Sequence, residues 1–71
     1  MKRHFEFVSS TSAKFWEISL AGCNVSVCFG RIGADGQTQT KTLSDANAAQ
    51  RHADKLIAEK LKKGYVETVP A

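Results

Sequence analysis

Apolar and polar side chains alternate along three segments in the first half of the chain. Alternation with a period of two is typical of a β-strand that buries one face. The residues predicted on the buried faces are Phe5 and Phe7, then Trp16, Ile18 and Leu20, and then Val25, Val27 and Phe29. Phe15 departs from the pattern, because it places an aromatic ring on the polar face of the second segment. These segments predict three consecutive strands.

A glycine-rich segment follows the third predicted strand. Two glycines flank Arg31, and the Asp35-Gly36 dipeptide beyond them is a hairpin signal, since glycine tolerates the positive φ of tight turns. Residues 37–42 (QTQTKT) then carry a threonine at every second position but no bulky apolar side chain. We therefore expect a fourth strand that is exposed to solvent or lies at a sheet edge.

From Ser44 onward the apolar period becomes that of a helix. Ser44 is the predicted N-cap, and Asp45 suits the positive end of the helix dipole. Lys60 falls within the apolar face and is expected to extend its amine to solvent, and Gly64 is predicted to cap the C-terminus. The predicted apolar face comprises Ala46, Ala49, Ala53, Leu56, Ile57 and Leu61.

The order of these elements predicts an α+β fold with one domain, residues 1–71. Four strands form a small antiparallel meander, and one long helix in the second half of the chain packs against it. The last segment (YVETV) fits either a short fifth strand or a tail held by Tyr65 and Val66. No internal repeat and no linker interrupts the pattern.

Composition adds a mildly basic balance to this picture. The 71 residues include ten Lys and Arg against seven Asp and Glu, a net charge of +3, which permits a polyanionic partner without requiring one. No segment is apolar enough for a membrane span or a signal peptide, so we expect a cytoplasmic protein without a membrane partner. Cys23 and Cys28 are expected as free thiols, and the histidine spacing predicts no metal site.

Catalysis is the function class that the sequence supports least. The acidic residues are scattered, and neither His4 nor His52 has an evident nucleophile beside it. Residues 33–36 (GADG) are too short for a phosphate-binding loop and lead into a strand. We therefore expect a protein that is not an enzyme and needs no cofactor.

Phe29 and Arg31, with Gly30 between them, are the strongest candidates for binding. Residues two apart on a strand project from the same side, so an aromatic ring and a guanidinium can together contact a base or sugar and a phosphate. The glycines would shape the strand end so that this pair faces outward, and Lys41 is expected to line up across the hairpin. Alternatively, Phe29 continues the core and Arg31 is an ordinary charge at a strand end.

A second basic feature lies on the predicted helix. Arg51, Lys55 and Lys62 fall within one narrow stripe opposite the apolar face. Such a stripe fits either a footprint for phosphates or the solvated back of an amphipathic helix. The second interpretation is the general rule for surface helices, and we favour it.

The chain resembles a WGR domain, the module named for a Trp-Gly-Arg motif and found in poly(ADP-ribose) polymerases and in many bacterial proteins. The resemblance is carried by residues 14–20 (KFWEISL), 29–41 (FGRIGADGQTQTK) and 43–65 (LSDANAAQRHADKLIAEKLKKGY). In the polymerases the tryptophan and arginine of the motif touch a DNA break, and by position those roles fall to Phe29 and Arg31. Phenylalanine keeps a π-face but lacks the indole N–H.

The resemblance implies a stand-alone bacterial-type adaptor, since a chain of this length holds no ADP-ribosyl transferase region. The leading hypothesis is a nucleic-acid-binding module for DNA ends or the duplex backbone, with contacts from Phe29, Gly30, Arg31, Lys41 and Lys14. The alternative is a protein-interaction module that uses an exposed sheet edge at residues 37–42. In either case we expect a monomer.

Overall fold

The computed structural model describes residues 2–68, so the last residue of the YVETV segment lies outside it. Its elements are β1 (Lys2–Val8), β2 (Ala13–Ala21), β3 (Asn24–Arg31), β4 (Gln37–Thr42), α1 (Ala46–Lys62) and β5 (Val66–Thr68). The strands form one antiparallel sheet in the order β4-β3-β2-β1-β5. The predicted α+β meander is confirmed, and the last segment is a fifth strand beside β1.

Helix α1 covers one face of this sheet. The register pairs Phe5 with Trp16 and Trp16 with Phe29, so the apolar positions of β1, β2 and β3 all lie on that face. The side chains buried between the sheet and the helix are Phe5, Trp16, Ile18, Val25, Ala49, Ala53 and Ile57. The two alanines are fully buried, which lets the helix approach the sheet closely.

The helix begins one residue later than predicted. Asp45, not Ser44, is the N-cap, with extended backbone and a carboxylate that accepts from the Ala48 N–H at 2.7 Å. A capping side chain must reach the N–H groups of the first turn, and Asp45 has that position. The apolar face is also narrower than predicted, since Ala46 and Leu61 are exposed at the two ends.

Two hydrogen bonds close the C-terminus of the helix in a Schellman motif. The Tyr65 N–H donates to the Lys60 carbonyl and the Gly64 N–H donates to that of Leu61. Gly64 has a φ of 100°, as this motif requires. The turn sends the chain back to the sheet, where the Tyr65 ring lies 5.5 Å from that of Phe7 before β5 begins.

The β3–β4 connection folds over the sheet face that the helix leaves open. Its tight turn comes earlier than the predicted Asp35-Gly36, since the Ala34 N–H donates to the Arg31 carbonyl at 3.0 Å. Gly36 then passes directly over the ring of Phe15, which is only 8% exposed. Phe15 is therefore buried on the otherwise polar face, because this loop covers it.

Candidate nucleic-acid interface

A groove of about 640 Å³ runs between α1 and the β3–β4 side of the sheet. Trp16, Val25, Val27 and Phe29 form its apolar floor, because odd positions of β3 and even positions of β2 face the helix. On the opposite wall, the helix contributes residues spaced three or four apart, including His52, Leu56 and Lys60. All five predicted binding residues line this groove: Lys14, Phe29, Gly30, Arg31 and Lys41.

Lys14 and Arg31 are two cations at one end of the groove, and the Lys14 Nζ lies toward β1, 5.9 Å from the ring centroid of Phe7. They are direct partners in the β2–β3 register, and both project from the helix side of the sheet. Both side chains are exposed. Because both belong to neighbouring strands, an anion bound at this end of the groove would be attracted by both.

Lys41 lies across the β3–β4 hairpin, at the other end of the groove from Arg31. The register places Lys41 opposite Val25, whereas Gln37 is opposite Phe29. Six residues of extended β3 therefore separate the Arg31 position from that of Lys41, a distance of about 20 Å. The tight turn ends the pairing before Arg31, and this offset was not readable from the sequence.

Phe29 belongs to both of the interpretations drawn from the sequence. Its ring is half-buried and packs against the core beside Trp16, while part of it lines the groove. It is therefore not a free stacking platform. The exposed part offers an apolar contact at the groove floor.

The glycines shape this strand end by permitting a close approach of backbone to backbone. A Cβ on Gly30 would lie 2.9 Å from the Gly36 Cα, which is closer than side chains tolerate. A bare Gly30 thus lets the loop cross the open face, while Arg31 next to it points to the groove. Gly30 acts through backbone packing and offers no side chain to a ligand.

Lys60 is the cation of the groove that sequence reasoning missed. Its Nζ lies 5.6 Å from the ring centroid of Trp16 and 5.2 Å from that of Tyr65, so it stays over two aromatic rings. Burial lowers the pKa of Lys60, as do the positive charges of Lys63 and Lys14, and Glu59 opposes them. The signal in the sequence was a lysine inside an apolar helix face.

The groove on the helix side of the sheet is mainly cationic, and the opposite face carries several of the acidic residues. Of the seven acidic residues of the chain, only Glu59 lines the groove. Three others, Glu6, Glu17 and Asp35, line a shallow hollow on the opposite face. Within residues 2–68, no carboxylate lies within 4 Å of Lys14, Arg31, Lys41 or Lys60. The groove lining holds four cations and one carboxylate, so a charge equal to the whole net charge of +3 is concentrated in it.

The basic stripe on α1 lies outside this groove. Arg51, Lys55 and Lys62 are all exposed, and none of them lines it. This position agrees with the solvated back of an amphipathic helix. The three residues therefore offer matched controls for mutations in the groove.

Metal-ion clusters, cysteines and membrane-spanning helices were the other features to consider in the described part of the chain. Among residues 2–68, no three His, Cys, Asp or Glu side chains come together as a metal ion would require. Cys23 lies in the β2–β3 turn and Cys28 on β3, and both are half-buried free thiols. No helix within these residues has the length and apolar character needed to cross a membrane.

The fold and the ordered motifs agree with a known family. The family model described as "WGR domain" matches residues 1–71. The chain belongs to the WGR domain family. A crystal structure of a protein from Bacteroides fragilis matches this WGR domain with a TM-score of 0.95 and 55% identity, over 97% of this chain and 20% of that one. Residues 29–31 read Phe-Gly-Arg, where the name of the family gives Trp-Gly-Arg.

Two Escherichia coli K12 proteins are similar to this WGR domain in sequence. Protein YehF is 46% identical over 65 residues, which are 92% of this chain and 24% of that protein. The uncharacterized protein YfeS is 40% identical over 67 residues, 94% of this chain and 28% of that protein. The chain thus spans about a quarter of the length of these relatives. A stand-alone arrangement stays a prediction.

Proposed function

We propose that this WGR domain is a non-catalytic module that binds nucleic acid through its phosphate backbone, at a DNA end or along a duplex. The proposed contacts are Lys14, Arg31, Lys41 and Lys60. The observation that carries the proposal is the pair of like charges, Lys14 opposite Arg31, at the mouth of a groove whose cations have no described carboxylate partner. Two cations at the same end of a groove can both donate charge-assisted hydrogen bonds to one phosphate.

The length of the groove supports contacts along a strand rather than at a single point. Arg31 and Lys41 are about 20 Å apart along β3, which is about six phosphate steps at the 3.4 Å rise of one DNA strand. Phe29 adds a limited apolar contact to a sugar or base edge between these cations. This arrangement reads backbone charge and shape and carries no base-specific contact.

The test is a fluorescence-anisotropy titration with a labelled, 5′-phosphorylated DNA duplex at several salt concentrations. Four phosphate contacts predict a log–log slope of affinity against salt of about −3 to −4. Arg31→Ala should weaken binding and make that slope shallower by about one. Arg51→Ala removes the same charge from the exposed back of α1 and should leave both quantities near those of the wild type.

Two outcomes would contradict the proposal. Absence of salt-dependent binding in the wild type would exclude a phosphate-binding function for the isolated domain. Binding that weakens equally in Arg31→Ala and Arg51→Ala would show a diffuse electrostatic effect, because only the first substitution touches the groove.

A second candidate function, a protein-interaction module, is favoured by the position of β4. This strand is at the edge of the sheet, and all six of its residues are exposed. The Leu43 N–H donates to the Cys23 carbonyl at 2.8 Å, and these two residues continue the β3–β4 register. The odd-numbered residues of β4 therefore direct their backbone N–H and C=O groups toward β3. By alternation, the backbone groups of Thr38, Thr40 and Thr42 then point away from the sheet, ready for another strand.

Two comparisons distinguish the second candidate from the first. Binding of a partner strand should survive Arg31→Ala and be lost in Thr40→Pro, since proline removes an outward N–H that β3 does not use. Under this function the domain should show little retention on heparin at moderate salt. Strong heparin retention that Arg31→Ala abolishes would favour nucleic acid instead.

A further inference from the structure

The amine of Lys60 has an environment that sets it apart from the other lysines with a described position. It is half-buried in the groove, above Trp16 and Tyr65, and the Schellman turn fixes both Lys60 and Tyr65 at the helix end. Lys55 and Lys62, on the same helix, are exposed and lie outside the groove. One element thus presents lysines in two contrasting environments.

Opposing effects act on the protonation of this amine. The two ring faces attract the ammonium form. Burial, together with the nearby charges of Lys63 and Lys14, disfavours it, and the pKa of Lys60 is lowered as a result. Because only the neutral amine is a nucleophile, a larger fraction of Lys60 is reactive near neutral pH than of an ordinary exposed lysine.

The groove also attracts the kind of reagent that such an amine attacks. Small activated acyl donors in cells, acyl phosphates above all, are anions. Arg31, Lys14 and Lys41 line the same groove as Lys60 and have no described carboxylate partner. Electrostatic attraction raises the local concentration of a dianion beside the Lys60 amine, and proximity raises the rate of attack.

We propose that Lys60 is a site of acylation by small anionic acyl donors of the acyl phosphate class. The lone pair of the Lys60 Nζ attacks the acyl carbon, and a C–N bond forms. The bond from that carbon to the phosphate oxygen breaks, and inorganic phosphate leaves with the electron pair. The Lys60 ammonium group loses one proton to solvent before the attack, and the nitrogen loses a second proton to the departing phosphate after it. A neutral amide remains.

Acylation would also change the groove, a consequence that rests on the proposed function. The amide has no charge, so one of the four cations of the groove is lost. Binding to DNA should then weaken, with a salt slope shallower by about one. Acylation itself requires only the local chemistry of the groove and stands independently of what the groove binds.

The reaction is tested by incubating the intact domain with acetyl phosphate near pH 7.5 and following each lysine by peptide mass spectrometry. The seven lysines of the chain compete within one molecule, so Lys55 and Lys62 serve as internal controls. We expect acetylation of Lys60 to be several-fold faster than that of either control. A rate equal to or below that of the controls would overturn the proposal.

A second variant separates attraction of the donor from reactivity of the amine. Arg31→Ala should slow acetylation of Lys60 by acetyl phosphate but not by an uncharged acetyl ester, while Arg51→Ala should slow neither. An unchanged rate with acetyl phosphate in Arg31→Ala would overturn the role of the groove.

The effect on binding is tested with Lys60→Gln, which mimics the neutral amide, and Lys60→Arg, which keeps the charge. Of these two variants, only Lys60→Gln should weaken DNA binding and make its salt dependence shallower. If the wild type binds no DNA, the proposed function fails, while the acetylation rates still decide the proposal on Lys60.

Discussion

Replacing Gly36 by alanine tests how the β3–β4 loop is held over the open face of the sheet. Gly36 has a φ of 79°, and an added Cβ would lie 2.6 Å from the Phe29 carbonyl oxygen and 2.7 Å from the Cζ of Phe15. Neither neighbour moves easily, since one is backbone of β3 and the other is a buried ring. The substitution therefore forces the loop, the ring or the strand to shift.

The expected loss has two parts. An alanine at positive φ costs about 1–2 kcal/mol, and overpacking against fixed neighbours costs about 1–3 kcal/mol more. Gly36→Ala should thus lower the free energy of unfolding by about 2–5 kcal/mol. A domain of this size has a total of about 4–11 kcal/mol, so the loss is a large fraction of its stability.

Gly33→Ala is the matched control. Gly33 has a φ of 96° in the same loop, but an added Cβ would meet nothing within 4 Å. Only the backbone part of the cost applies, about 1–2 kcal/mol. The difference between the two variants isolates the contact with Phe15 and the Phe29 carbonyl.

Urea unfolding followed by the fluorescence of Trp16, the single tryptophan, measures both variants. With an unchanged m-value, the midpoint of Gly36→Ala should lie clearly below that of Gly33→Ala. In thermal unfolding, each kcal/mol should lower Tm by about 4–8 °C. Equal losses in the two variants would refute the close approach of the loop to the sheet.

The remaining predictions concern the helix cap and the fifth strand. Asp45→Ala should lower the free energy of unfolding by about 1 kcal/mol, because it removes the acceptor of the Ala48 N–H. Ser44→Ala should change it by less than about 0.5 kcal/mol in the same urea assay, and a larger effect at Ser44 would contradict the assignment of the cap. The bidentate hydrogen bonds from Arg3 lower the pKa of Glu67 below its ordinary value near 4.5. An NMR titration should find that pKa higher in Arg3→Ala, and since a depressed carboxyl pKa stabilises the fold above the ordinary value, this contribution should be lost as pH falls below about 4.5.

Much of the fold was predictable because its signals are local. The alternation around Trp16 and Val25 defines strands that bury one face, and Ala49, Ala53 and Ile57 mark the buried side of the helix. The cap was misplaced by one residue, since Ser44 and Asp45 are equally good caps as residue types. Phe15 broke the local pattern because a loop distant from it in sequence covers its ring.

The candidate site was only partly predictable. The sequence identified Arg31, Lys14 and Lys41 as basic candidates, but it gave no register and thus no distances between them. The helical position of Lys60 predicts an amine that extends to solvent, whereas its contacts with Trp16 and Tyr65 depend on how the helix end meets the sheet. The residues next to Lys60 in sequence do not indicate such contacts.

Periods of two and 3.6 residues reflect the backbone geometry of single segments, so the elements, their order and most of the faces they bury can be read along the chain. The distribution of charge, in contrast, depends on how these elements pair and pack. Strand register places Lys14 opposite Arg31 and Lys41 about 20 Å away. Glu6, Glu17 and Asp35 lie on the other face of the sheet. A net charge of +3 does not indicate where the charged residues lie, whereas electrostatic interactions depend on their distance and burial.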